Sequence, residues 1–209
     1  MAQVLRKLNS EGQFTLFPGV TVVADVDEKT QPNWTRLYQK LNDNELIKSF
    51  YALLPPGSYH MTTMDLYTQA ATTDNWLDFI NNKLFWFQQL HSGLQREAFQ
   101  PTTTAKGIYV ESVICVELEL PKDQMHKLHT LAGEFEIVKK TPNIFHVTLG
   151  YCYKGYVPPA QRTQIEEAVT TAFNECCEQG SVLTFDQPKL RYFMDMTKFT
   201  VWDGQTNPF

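Results

Sequence analysis

Along this chain, apolar and polar positions alternate in short stretches and recur at helical spacing in longer ones, and the two patterns follow one another in a repeating order. Phe14 to Val26 is rich in Val, Thr and Phe, with a Pro18-Gly19 turn inside it, and its second half predicts a strand. Pro32 opens a helical stretch carrying Trp34, Leu37, Leu41, Leu46, Ile47 and Phe50, which the Pro55-Pro56-Gly57 turn stops. Tyr59 to Tyr67 predicts the next strand. From about 74 to 99, Trp76, Phe79, Ile80, Leu84, Phe87, Leu90 and Leu94 recur at helical spacing and predict a long helical insert. Its aromatic stripe reads as core packing rather than a ligand box. The stretch 101–104 reads as a connector at the midpoint of the chain.

The order then repeats. Ile108 to Leu120 alternates and predicts one strand, Pro121 to Phe135 a short helix, and Ile144 to Tyr153 a strand. Pro158 to Gln179 predicts an amphipathic helix, with prolines at its start, Ile165, Val169, Ala172 and Phe173 on one face, and Gly180 at its end. Two last strands fit Val182 to Phe185 and Lys189 to Trp202. The whole is expected to be a single domain over 1–209, with halves at about 14–100 and 105–202 and the helical insert at 74–99.

Composition adds exclusions. Of 209 residues, 43% are hydrophobic and 20% charged, which is ordinary for a globular chain and argues against disorder. The net charge of −5 comes without a basic stripe: Arg6-Lys7 and Lys139-Lys140 are only pairs. Long duplex nucleic acid is therefore not an expected partner, although a small anion in a local pocket is allowed. Cys115, Cys152, Cys176 and Cys177 form neither a C-x-x-C pair nor a zinc array, so free thiols in a reducing compartment are expected. The first residues lack a signal-peptide apolar stretch, and no apolar run approaches the ~20 residues of a membrane span. A cytoplasmic, monomeric protein with no membrane partner is the expectation.

The strands that close the two halves carry one pattern, Tyr59-His60-Met61-Thr62 and Phe145-His146-Val147-Thr148. On a strand, residues two apart share a face. Each His therefore lies beside its Thr, about 7 Å along the strand, while the aromatic and the apolar residue point into a core. One such motif alone fits a histidine decorating a sheet face; two, with matching flanks and matching places in similar halves, point to a site. Two imidazoles across a cleft divide acid–base work naturally. A neutral one takes a proton from the nucleophile, and a protonated one gives a proton to the departing oxygen. Thr hydroxyls donate hydrogen bonds to non-bridging phosphate oxygens, where charge builds up. This chemistry needs no metal, no cofactor and no nucleophilic Cys or Ser.

The two H-x-T motifs, 86 positions apart, resemble those of the 2H phosphoesterase superfamily, which includes RNA 2′,3′-cyclic phosphodiesterases (also called 2′-5′ RNA ligases) and 2′-5′ oligoadenylate phosphodiesterases. More closely, the runs from Phe17 to Val23, Leu54 to Thr62 and Phe193 to Phe199 resemble a bacterial branch of that superfamily filed as a domain of unknown function, DUF1868. The resemblance implies an α+β, bilobal, pseudo-two-fold fold, with two β-rich lobes, helices outside and both motif strands lining a central groove. It implies that His60 and His146 are the acid–base pair and that Thr62 and Thr148 bind phosphate. The superfamily's next motif position is apolar or small; here it is Thr63 and Leu149, so the first motif departs slightly. The insert is longer than a minimal member needs and could cap the groove.

The implied activity is metal-independent phosphodiester cleavage of a small nucleotide or short oligonucleotide: a 2′,3′-cyclic phosphate, a 2′-5′ linkage or a cyclic oligonucleotide. Which His is the base stays open. The alternative is a non-catalytic nucleotide-binding or sensing module on the same fold. A third reading, a metal hydrolase using His126 and His129 at i, i+3, lacks a third ligand and is outweighed by a surface helix. Base-stacking candidates are Tyr151, Tyr192, Phe193 and Phe17. Arg191 and Lys198 are candidates for phosphate charge, with Arg191 joining Tyr151 and Phe193 as the expected substrate-binding set.

Overall fold

Two motif strands that are far apart in sequence lie side by side at the centre of one large sheet. The computed structural model describes residues 5–27, 29–72, 75–97, 99–177 and 182–209. In chain order the elements are β1 (Gly19–Asp25), α1 (Gln31–Asn42), α2 (Glu45–Lys48), β2 (Tyr51–Leu53), β3 (His60–Thr68), α3 (Trp76–Arg96), β4 (Thr102–Val110), β5 (Val113–Glu119), α4 (Lys122–Glu134), β6 (Phe145–Cys152), α5 (Pro159–Cys177), β7 (Val182–Thr184), β8 (Lys189–Phe193) and β9 (Thr200–Val201). The strands pair antiparallel in the order β7-β4-β5-β6-β3-β1-β8-β9, with β2 added beside the end of β6.

The sheet has two halves, β3-β1-β8-β9 and β6-β5-β4-β7, joined at the centre by the pair Met61↔Val147 between β3 and β6 and at the margin by the bridge Val26↔Phe185. Each half is sealed on its outer side by helices. Trp34, Leu37 and Leu41 of α1 join Ile165, Val169 and Phe173 of α5 in a core with Val116, Phe145 and Val147. Ile80, Phe87 and Leu90 of α3 join Leu131 and Ala132 of α4 in a second core with Val20, Met64 and Leu66. The helix after β1 thus covers the half containing β6, and the helix after β5 covers the half containing β3. The α+β architecture, with two β-rich halves and helices outside, is borne out.

Several element readings are corrected. The run 108–120 is not one strand, and 101–104 is not a connector. β4 starts at Thr102, where the β-branched threonines pair with β7 on one side and β5 on the other, and the chain reverses at Glu111-Ser112. Alternation continues on both sides of this short polar turn, so the period alone does not expose it. The run 189–202 is likewise two strands. The Asp195 carboxylate accepts from the Thr197 backbone N–H (2.7 Å) and hydroxyl (2.6 Å), fixing a turn between them. The stretch from Pro32 to Phe50 breaks at Asp43, because the Asn44 side chain caps a new short helix through the Ile47 N–H (3.1 Å). The expected ends at Asp74, Gln179 and Gly180 lie outside the described residues.

The insert does not cap the groove. Asn75 caps α3 by accepting from the Leu77 and Asp78 N–H groups, and the aromatic stripe is buried against the outer side of β1, β3 and β8. None of its described residues lines the groove.

Candidate active site

The site is built on the central contact between the sheet halves. Met61 and Val147 are fully buried on the core side. Their strand neighbours point the other way, into a groove of about 690 Å³ that His60, Thr62, His146 and Thr148 all line. Continuing the antiparallel register by one residue in each direction sets His60 opposite Thr148 and Thr62 opposite His146. The shallower depression between α1 and α5, about 540 Å³, contains no histidine.

Both imidazoles are oriented by the same local device. His60 Nδ1 lies 2.7 Å from the Ser58 carbonyl oxygen, and His146 Nδ1 lies 3.3 Å from that of Ile144, two residues back in each case. A carbonyl only accepts, so Nδ1 is the donor in both rings and Nε2 is left for a ligand. The Pro55-Pro56-Gly57-Ser58 turn delivers the Ser58 carbonyl, and its own geometry is held by the Ser58 hydroxyl donating to the Pro55 carbonyl (2.8 Å).

The register gives each histidine an acidic neighbour on its outer strand, Asp25 opposite His60 and Glu117 opposite His146. The two neighbours differ in company. Asp25 is ion-paired with Arg191, which also donates to the Phe199 carbonyl (2.8 Å), whereas no described cation forms a salt bridge with Glu117. Burial pushes His60 down to about 4, opposed by its bond to Ser58 and aided by the positive charge of Arg191, by His146 and by Lys7. Its ring is packed edge-on against Phe199, 4.3 Å between centroids. The register of β3 slips twice against β1, and the extra Thr63 of the first motif finds its use there: fully buried, it donates its hydroxyl to the Val22 carbonyl (3.2 Å).

Of the expected substrate-binding residues, Tyr151 and Phe193 line the groove. One face of the Tyr151 ring is covered by the Lys7 ammonium at 4.5 Å, and Phe193 is buried against Phe199 and over Gly19. Phe17 also lines the groove. Arg191 does not line it; Asp25 and Phe199 engage its guanidinium, so it reaches the site through its charge. Tyr192 and Lys198 do not line it either.

Lys7, Lys139 and Lys140 stand in the sequence only as members of short basic pairs, yet all three line the groove. Each sits in a pair too small to register as a basic stripe, and nothing local shows that residues 7 and 139 converge. His126 and His129 are exposed on α4, and no three His, Cys, Asp or Glu side chains group as a metal site among the described residues. Cys115 is buried, and burial, with Glu117 nearby, pushes its thiol up to about 12. No helix among the described residues is long and apolar enough to cross a membrane.

The family resemblance rested on the two H-x-T motifs and the runs around them, and comparison bears it out over the first half of the chain. Residues 7–96 match the family model 2H-phosphodiest, described as a domain of unknown function, DUF1868. The fold is shared with the conserved protein of unknown function ATU0111 from Agrobacterium tumefaciens, at 18% identity over 94% of this chain and 89% of that one, with a TM-score of 0.66. Looser overlaps are found with Kluyveromyces marxianus Usb1 solved with uridine monophosphate (13% identity, 91% and 97% coverage, TM-score 0.49) and with Usb1 in a second structure (13%, 88% and 95%, 0.48). No curated protein matches the chain.

Proposed function

We propose that this protein is a metal-independent phosphodiesterase acting on a small nucleotide or short oligonucleotide, with His60 as general base and His146 as general acid. One observation carries the reading: two imidazoles on adjacent strands, each held through Nδ1–H by the carbonyl two residues back, and each lining the groove that Thr62 and Thr148 also line. His60, pushed down by burial, keeps its lone pair at neutral pH, which suits the partner that removes a proton from water or from a ribose hydroxyl. His146 then protonates the departing oxygen. Thr62 and Thr148 donate to the non-bridging oxygens as charge accumulates there. Tyr151, Phe17 and Phe193 offer aromatic surface to a base.

The test is product analysis by liquid chromatography and mass spectrometry, with chelator present. The panel holds 2′,3′-cyclic mononucleotides, 2′-5′ oligoadenylates, 3′-5′ oligonucleotides and cyclic dinucleotides. Turnover of one class by the wild-type protein, lost in His60→Ala and in His146→Ala, is the expected result. Turnover that survives either substitution, or that needs a metal, overturns the mechanism. Binding without turnover assigns the groove to a nucleotide sensor instead.

A further inference from the structure

The two motifs supply imidazoles and hydroxyls but no fixed positive charge, yet the ligand they suit is an anion. A cation is needed near the reacting phosphate, and the cations around the groove are not equivalent. Arg191 is held by Asp25 and the Phe199 carbonyl. Lys140 donates to the Leu66 carbonyl (2.7 Å) and lies over the Tyr67 ring at 5.1 Å. Lys139 is exposed to solvent. Lys7 differs from all of these. It is half-buried, it lines the groove, its charge reaches His60, and no described carboxylate forms an ion pair with it.

Its seat is aromatic. Lys7 Nζ donates to the Tyr151 hydroxyl (3.3 Å) and stands 4.5 Å from the Tyr151 ring centroid and 5.8 Å from that of Phe17. An ammonium has three donors, and among the described residues only one finds an acceptor. A ring face attracts a cation without neutralising it, so the full charge remains available to an anion.

The segment that carries Lys7 is braced at both ends. Leu8 bridges to Phe14, the Thr15 hydroxyl donates to the Arg6 carbonyl, and the Phe17 N–H bonds the Met194 carbonyl (2.8 Å). Gly12, at φ +82°, lies flat against the Tyr153 ring, where a Cβ would come within 3.0 Å. The segment 5–17 is therefore a strap from β6 to the loop after β8, and it holds Lys7 at the groove rather than leaving it to wander in solvent.

We infer that Lys7 is the substrate's phosphate-binding cation, held by Tyr151 as its positioning residue. The inference rests on the phosphodiesterase reading for the identity of the anion, and it assigns the charge that the two motifs lack.

The experiment compares wild type with Lys7→Met, Lys7→Arg and Tyr151→Phe in two assays. The first is binding of adenosine 5′-monophosphate by isothermal titration, which needs no turnover. The second is kcat and KM on whichever panel substrate reacts. Lys7→Met is expected to lose roughly 10- to 100-fold in nucleotide affinity and in kcat/KM, and Lys7→Arg to recover most of it. Tyr151→Phe, which keeps the ring and removes the hydroxyl, is expected to raise KM by a larger factor than it lowers kcat. Lys7→Met binding and turning over like wild type overturns the assignment. Equal losses in Lys7→Met and Lys7→Arg overturn it too, since they point to packing rather than charge. If no substrate reacts but Lys7→Met alone loses the monophosphate, the cation site stands and the phosphodiesterase reading falls.

Discussion

Met61 and Val147 face each other across β3 and β6, and they are the central residues of the two H-x-T motifs. β1 lies outside β3 as β5 lies outside β6, so the two halves of the sheet correspond about this pair. Both side chains are fully buried, which forces the residues on either side to the groove face. The placing of both His/Thr pairs on one face is therefore a by-product of burying two apolar residues.

Removal of either imidazole is expected to lower kcat by roughly 10²–10⁴-fold. His60→Asn and His146→Asn keep a polar group of similar size, so the fold is retained. The proposed mechanism uses the two as a pair, so the double variant is expected to be little worse than the poorer single variant. Initial rates with thermal melts beside them check this.

Stability is expected to fall as pH falls from about 6.5 to about 4. The folded His60 titrates at about 4 because burial disfavours its charged form, while an unfolded histidine titrates near 6.5. Above that window neither state takes the proton and nothing is lost. Inside it the unfolded chain binds a proton that the folded chain refuses, and the equilibrium shifts toward unfolding. Urea unfolding at several pH values should show a smaller decline across this window for His60→Asn than for wild type.

Arg191→Met and Asp25→Asn are expected to couple. The pair is mostly shielded, with side-chain exposures of 14% and 27%, and desolvation is the largest influence on Asp25, raising it. Removing the arginine leaves that carboxylate with no guanidinium, opposite His60. A double-mutant cycle in chemical denaturation should give an interaction of roughly 0.5–3 kcal/mol.

Gly19→Ala is expected to disturb the groove wall. A Cβ at this position would stand 2.3 Å from the Phe193 ring. The ring must move, and it leans on Phe199, which packs against His60. Overpacking of this kind costs roughly 1–3 kcal/mol. A raised KM together with a lowered melting temperature would show the wall shifting, and unchanged kinetics would separate it from the site.

Much of the fold was legible because its signals are local. The strand β3 follows from a period of 2, and the helices α3, with its buried stripe, and α5 follow from a period of 3.6, with Asn or Pro at their starts. The failures are local too, but of opposite sign. The Glu111-Ser112 reversal and the Asp195 turn interrupt runs whose alternation carries on, and β2 is three residues long, defined by its pairing with β6 rather than by any pattern of its own.

The sequence by itself determined the two motif strands and, through side-chain alternation, that each His shares a face with its Thr. It also determined which apolar positions would seek a core. Only the tertiary structure decided that β3 and β6 lie side by side, that α3 backs the sheet instead of covering the groove, and that Arg191 turns to Asp25 while Lys7 and Lys139 arrive at the groove from opposite halves of the chain. The physical reason is range. Alternation and capping act over a few residues, whereas this strand pairing and the convergence of charges depend on contacts between residues from 86 to 166 positions apart, which no local period records.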